Sequence, residues 1–333
     1  MPASAVRFGV LGAARITPAA LLRPARDHPE ASADVVAARN LGRAVDYATR
    51  HRIPRVKDSY EAVVADPDVD AVYIPLPNSL HAEWILHALA AGKHVLCEKP
   101  FTANAAEAAQ VKAAADRAAG EDGLVVMEAF HYRYHPLARR MGEIVDSGEL
   151  GELRHIEAWL CAPIPKKSDI RYQADLAGGA MMDMGSYVVH CARFLGGGEP
   201  TVVSARAKLH SPDVDRAMDA RMAFPGGHTA TVHCSMWSSS ILRVEARVTG
   251  DRGEMRVMNP MAPQSVSWLS VRSRGRRRRE FASRRPTYAY QLDAFCDAVL
   301  RGAPVLTPPA DATANMAVID AVYRAANMRP RGV

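Results

Sequence analysis

Gly92-Lys93-His94-Val95-Leu96-Cys97-Glu98-Lys99-Pro100 reads as the end of a helix, a short buried strand and an abrupt charged exit. Gly92 suits the position just after a helix, and the apolar run from His94 to Cys97 empties into Glu98-Lys99-Pro100. A charged pair at the carboxyl end of a buried strand adds little to packing. It suits a site, because open α/β sheets bind ligands outside the carboxyl ends of their strands. A lysine there can have its protonation tuned by burial and neighbours. The alternative is a surface ion pair capping the strand, and the stretch alone leaves both open.

The residues before this stretch repeat its grammar. Strands are predicted over 6–11, 34–38, 70–74, 94–97 and 124–127. Helices are predicted from Thr17 onward with Pro18 in the first turn, then over 41–51, 58–65 with Asp58 as N-cap, 79–91 with Ser79 as N-cap, and 104–119. This alternation predicts a parallel, doubly wound sheet. After a helix over 136–147 the pattern changes to longer alternating strands, over 153–161, 202–209, 217–224, 229–236, 243–249 and 264–271. A helix over 180–195 lies among them, and helices over 288–300 and 310–326 follow. The fold class is therefore α/β: an N-terminal domain over 1–128 with a doubly wound parallel sheet and a C-terminal α+β domain over 129–333 with a large, mostly antiparallel sheet. The helix over 310–326 is expected to pack back on the first domain.

Size and composition agree with this division. A chain of 333 residues is too long for one typical core, and 48% hydrophobic with 23% charged residues is ordinary for a soluble globular protein. No apolar run approaches the roughly 20 residues of a membrane span. Met1-Pro2-Ala3-Ser4-Ala5 lacks the basic and apolar regions of a secretion signal. The cysteines at 97, 161, 191, 234 and 296 are odd in number and form no CxxC, which predicts reduced thiols, a cytoplasmic protein and no zinc site. The net charge of +6 is local: residues 272–285 hold eight arginines and one glutamate, a net of +7, which leaves the rest at −1. This run reads as a solvated hairpin tip, and no specific nucleic-acid or membrane partner is expected.

Gly12-Ala13-Ala14-Arg15-Ile16-Thr17 stands where a G-x-G-x-x-G fingerprint would, with only its first glycine kept. Gly12, Ala14, Arg15 and Ile16 are candidates for holding a dinucleotide, against an ordinary strand-to-helix turn. Ala38-Arg39-Asn40 ends the second strand with a guanidinium where an NAD site has a carboxylate. Arg39 suits a ribose 2′-phosphate, so NADP(H) is favoured over NAD(H); a surface arginine opening a loop is the alternative.

The stretches 75–81 and 90–100, then 127–136, 176–187, 288–298 and 307–326, together resemble the Gfo/Idh/MocA family, in order and over nearly the whole chain. The resemblance implies that 1–128 is a dinucleotide-binding Rossmann domain, that the C-terminal sheet is open, and that the Lys99–Pro100 peptide is cis, aiming the lysine. It also implies a homodimer or homotetramer built through the C-terminal sheet. Lys99 matches the family's active-site lysine and Asp183 the aspartate of its glycine-rich helix. Where many members carry histidine and then aspartate, this chain has Tyr187 and His190. Tyrosine there resembles the sugar-oxidising and dihydrodiol dehydrogenase branch, where it exchanges the proton. A spacing of four would put Asp183 and Tyr187 on one helix face; a core tyrosine is the bland alternative. Pro75, Asn78, His81 and Glu98 are implied cofactor-side residues, with Glu98 orienting Lys99. His131 and Arg133 either touch substrate or tie the domains together, and Arg171, Tyr172 and Asp183 are candidates for recognising hydroxyls. No metal is expected. The implied activity is NADP-dependent hydride transfer at a sugar carbon, of aldose 1-dehydrogenase type. The alternatives are reduction of a ketosugar, nucleotide-linked or not, oxidation of a trans-dihydrodiol, or a non-catalytic dinucleotide sensor, against which intact Lys99, Asp183 and Tyr187 argue.

Overall fold

The computed structural model describes residues 5–332, so most of the N-terminal stretch read for a secretion signal lies outside the described residues. The chain divides into two compact units. One holds 5–102, 106–131 and 288–313; the other holds 103–105, 132–287 and 314–332.

The first unit is built on six parallel strands: β1 (Val6–Leu11), β2 (Ala31–Ala37), β3 (Arg55–Val56), β4 (Ala71–Ile74), β5 (His94–Cys97) and β6 (Val126–Glu128). Their order is β3-β2-β1-β4-β5-β6. β1 pairs with both β2 and β4, which makes the carboxyl ends of β1 and β4 the topological switch point where such sheets take ligands. Phe8, Val10, Val35, Val72, Ile74 and Leu96 are fully buried, as expected of strands covered on both faces.

Short helices link the strands: α1 (Arg23–Arg26), α2 (Leu41–His51), α3 (Tyr60–Val64), α4 (His81–Ala90) and α5 (Ala105–Asp122). Three local expectations are corrected. The chain after Thr17 opens with a π-helical turn, Pro18–Leu22, before α1. α3 is capped by Ser59, whose hydroxyl accepts the Ala62 N–H at 3.1 Å, rather than by Asp58. α4 has no side-chain cap: a 3₁₀ turn over Asn78–Leu80 feeds it and carries Ser79.

The second unit opens with α6 (Pro136–Asp146) and holds eight further strands: β7 (Leu153–Cys161), β8 (Thr201–Ser211), β9 (Val214–Ala223), β10 (Thr229–Ser235), β11 (Arg243–Gly250), β12 (Gly253–Met258), β13 (Trp268–Ser273) and β14 (Arg276–Glu280). Their order is β14-β13-β12-β11-β7-β10-β9-β8, and only the β7–β10 pair is parallel. α7 (Ser186–Gly196) covers β7 and β10, closing over Ile156, Ala158, Val232 and Cys234. α8 (Thr287–Arg301) and α9 (Pro309–Ala325) end the chain. Within the first unit α8 brings Phe295 against Phe8, ring centroids 5.4 Å apart.

The arginine run is the solvated hairpin tip read for it, with Arg272, Arg274, Arg276, Arg277 and Arg279 exposed, and it extends into a strand. Arg274 and Gly275, both at positive φ, make the turn, and Arg276–Glu280 is itself an edge strand paired to β13. Two alternate residues of β14 find partners of opposite charge: Arg278 pairs with Glu149, and Glu280 receives Arg140 at 2.8 Å. A charged edge of this kind also discourages edge-to-edge pairing.

Candidate active site

In the first unit the loop after β1 is fixed by its backbone. The Gly12 N–H donates to Ala37 O at 2.8 Å. Gly12 takes φ +110°, where a Cβ would also press on Leu76 at 3.1 Å, so glycine is required. The Tyr47 hydroxyl donates to Ala14 O at 2.9 Å, pinning the loop from α2. Arg15 and Ile16 are exposed. Arg39 and Arg43, also exposed, act electrostatically on Tyr60, whose phenol burial otherwise pushes up. The Tyr60 hydroxyl faces Gly12 as well: a Cβ there would lie 3.8 Å from it. A strained glycine, an open loop and two arginines around one phenol, with no carboxylate in Ala37-Ala38-Arg39-Asn40, fit a dinucleotide and favour a 2′-phosphate over a free 2′-hydroxyl.

At the carboxyl end of β5 the Lys99–Pro100 peptide is cis. His81 ties this turn to the one after β4: Nδ1 lies 2.8 Å from Pro100 O and Nε2 2.9 Å from Leu76 O. Burial, then the charge of Lys99, pushes its imidazole down. The Tyr73 hydroxyl donates to Glu98 Oε1 at 2.7 Å. Burial first and the Glu98 charge second hold that phenol well above its ordinary range. His131 packs on Tyr288, ring centroids 4.1 Å apart; burial and the charge of Lys99 push it down to about 3. The lysine thus sits among neutral rings. Pro75 is buried and Asn78 half-buried beside this turn.

In the second unit the glycine-rich segment is a packing device. Gly179 takes φ +135°, and a Cβ on it would lie 2.2 Å from Asp215 Oδ1. Asp215 accepts the Met181 N–H at 2.7 Å, the Tyr323 hydroxyl at 3.0 Å and Arg331 Nη2 at 2.8 Å. The turn so anchored, Met181–Gly185, is π-helical. The spacing of four read as one α-helical face therefore crosses two geometries, with Asp183 in the π-turn and Tyr187 in α7. Arg171 bonds Asp183 through Nε at 2.7 Å and Asp169 through Nη1 at 3.0 Å. The Asp183 charge is the largest cause holding that guanidinium protonated. Tyr187 is 8% exposed.

Arg133 lies over the Phe194 ring at 3.6 Å, a packing role. The Tyr172 hydroxyl donates to Ile164 O at 2.9 Å, and its ring lies 4.5 Å from that of His210. Tyr172, His210 and Trp237, with Lys167 and Arg216, line a cavity of about 360 Å³, and the Asp169 charge acts on the Tyr172 phenol. Sequence reasoning missed Tyr73, Asp215 and Arg331, which no motif marks, and Tyr132, which lies within the stretch 127–136 without standing out from it. Among the described residues no group of three or more histidines, cysteines or carboxylates is placed to hold a metal ion, and no helix is long and apolar enough to cross a membrane.

Comparison with known proteins agrees with this arrangement. Residues 6–125 match the oxidoreductase family with an NAD-binding Rossmann fold, and residues 138–256 match the GFO/IDH/MocA C-terminal domain. D-xylose 1-dehydrogenase (NADP(+)) 2 of Haloferax volcanii is 36% identical over 320 residues, covering 96% of this chain and 97% of the relative. Trans-1,2-dihydrobenzene-1,2-diol dehydrogenase of Mus musculus is 33% identical over 273 residues, 79% of this chain and 77% of the relative. Among solved structures, a 3-ketoreductase of Actinomadura kijaniata in complex with NADP and TDP-benzene superposes with a TM-score of 0.86 at 30% identity, covering 98% of each chain.

Proposed function

The chain belongs to the GFO/IDH/MocA family of NAD(P)-dependent oxidoreductases, and from that premise we propose that it oxidises a sugar with NADP, at the anomeric carbon of an aldose. The observation that carries this reading is the buried Tyr187 one turn beyond Asp183, a carboxylate held by Arg171. Tyr187, as its phenolate, takes the proton of the reacting hydroxyl and becomes the neutral phenol. Lys99 supplies the positive charge that stabilises the developing alkoxide. Asp183, oriented by Arg171, receives a substrate hydroxyl. Bound NADP would supply the acceptor for the hydride of the carbinol carbon. Arg39, Arg43, the loop from Gly12 to Ile16, Pro75, Asn78 and His81 would hold it. His131, kept neutral by burial and by the charge of Lys99, adds no second positive charge there.

A second reading has its own support. In the cavity lined by Tyr172, His210 and Trp237 with two cations, the rings suit a planar base and the cations an anionic phosphate, as on a nucleotide-linked ketosugar. The purified protein should be mixed with NADP or NAD and a panel of aldoses, and reduced nicotinamide followed by absorbance. The reading expects turnover with at least one aldose and a preference of about tenfold or more for NADP. Silence with every aldose, but oxidation of NADPH by a nucleotide-linked ketosugar, would transfer the assignment to the second reading.

A further inference from the structure

Tyr132 and His190 are both closed off from solvent, at 0% and 2% exposure. The Tyr132 hydroxyl lies 2.6 Å from His190 Nδ1, and the two rings meet edge-on at 5.6 Å. The same Tyr132 ring lies 6.0 Å from that of Tyr187, tilted by 54°. His190 stands three residues beyond Tyr187 on α7, about one turn further along the same face. Tyr132 therefore touches α7 at two points: its ring against Tyr187 and its hydroxyl at His190. A buried phenol is costly unless its hydroxyl is bonded, so the bond to His190 fixes the ring, and the ring is a wall of the space in which Tyr187 turns. Phenylalanine and an aliphatic residue would fill the same volume without that anchor.

We propose that Tyr132 and His190 are positioning residues for Tyr187, setting the direction of its ring for proton exchange. The proposal rests on Tyr187 being the proton-exchanging group. Proton transfer tolerates little misplacement, and shifts on the order of 1 Å can cost up to about a hundredfold in rate.

Steady-state kinetics with NADP and the best sugar found should be run on Tyr132→Phe, His190→Ala and His190→Asn, alongside NADPH binding and thermal melting. Tyr132→Phe removes only the hydroxyl and is expected to lower kcat about tenfold, with KM and NADPH affinity within about twofold. His190→Ala should behave alike. His190→Asn, whose amide reaches the Nδ1 position, should recover most of the loss. In a Tyr187→Phe background, Tyr132→Phe should have no further effect. The proposal is overturned if Tyr132→Phe keeps wild-type kcat, if His190→Asn is as impaired as His190→Ala, or if Tyr132→Phe costs the same in both backgrounds. Full turnover in Tyr187→Phe alone would overturn the role of Tyr187 itself, which separates the two failures.

Discussion

Arg171 holds Asp183 in place through a 2.7 Å bond from Nε to Oδ2, and the same guanidinium reaches Asp169 at 3.0 Å. Asp169 also accepts the Arg171 N–H at 3.2 Å, so the arginine is gripped at both ends. Arg171→Lys keeps the charge but loses the planar fork. It is expected to lower kcat/KM by about tenfold or more while the melting temperature stays within a few degrees. Wild-type kcat/KM in Arg171→Lys would show that orientation of Asp183 is immaterial.

A second prediction concerns stability. Asp215 and Arg331 form an ion pair at 2.8 Å with side chains 0% and 5% exposed, and the same carboxylate anchors the turn that carries Asp183. Removing one partner of a buried pair strands the other, at about 3–5 kcal/mol. Arg331→Ala should therefore melt well below wild type, and denaturant titration reads the loss directly. A change under about 1 kcal/mol would mean that the carboxylate is neutral or solvated in the variant.

The cofactor preference gives a third. Arg39→Ala should weaken NADP(H) binding by about 10–100-fold, the loss of a charge-assisted bond of about 1.5–3 kcal/mol, and leave NAD(H) nearly unchanged. Titrating both dinucleotides by fluorescence tests it. Equal weakening of both would place Arg39 elsewhere than at a 2′-phosphate.

The buried imidazoles give a fourth, with a definite sign. Burial, the largest cause in each, pushes His81, His94 and His131 down, the last to about 3. In the unfolded chain these groups protonate near 6.5. Between that value and about 3 the unfolded state binds more protons at His131, so stability falls as pH falls. Each such group contributes up to about 1.4 kcal/mol per pH unit. Unfolding free energies should drop from pH 7 to pH 5, above the range where carboxylates titrate, and drop less in His131→Asn. An identical slope in both proteins would contradict the neutral, buried His131.

Much of the fold is legible in the amino-acid sequence itself. Apolar runs ending at Gly12, Arg39, Pro75 and Lys99 set out the parallel sheet and its ligand-facing edge, because a buried strand must be apolar and its polar exit stands out. The polar partners do not show in this way. Tyr132 and His190 are 58 residues apart and Asp215 and Arg331 are 116 apart, and each alone reads as core or surface. The arginine run reads as solvated and most of it is, but charge alone does not reveal that the register of β14 gives Arg278 a partner in Glu149 and Glu280 one in Arg140. The π-turn at Met181–Gly185 has no signature that separates it from α-helix.

The central claim is that Tyr187 exchanges the substrate proton, and Tyr187→Phe tests it most directly. Turnover of the best sugar with NADP should fall by about 100-fold or more, the range of a lost general acid–base group, while NADPH binds with unchanged affinity and the melting temperature holds. Turnover within about threefold of wild type, with the same cofactor affinity, would contradict the account.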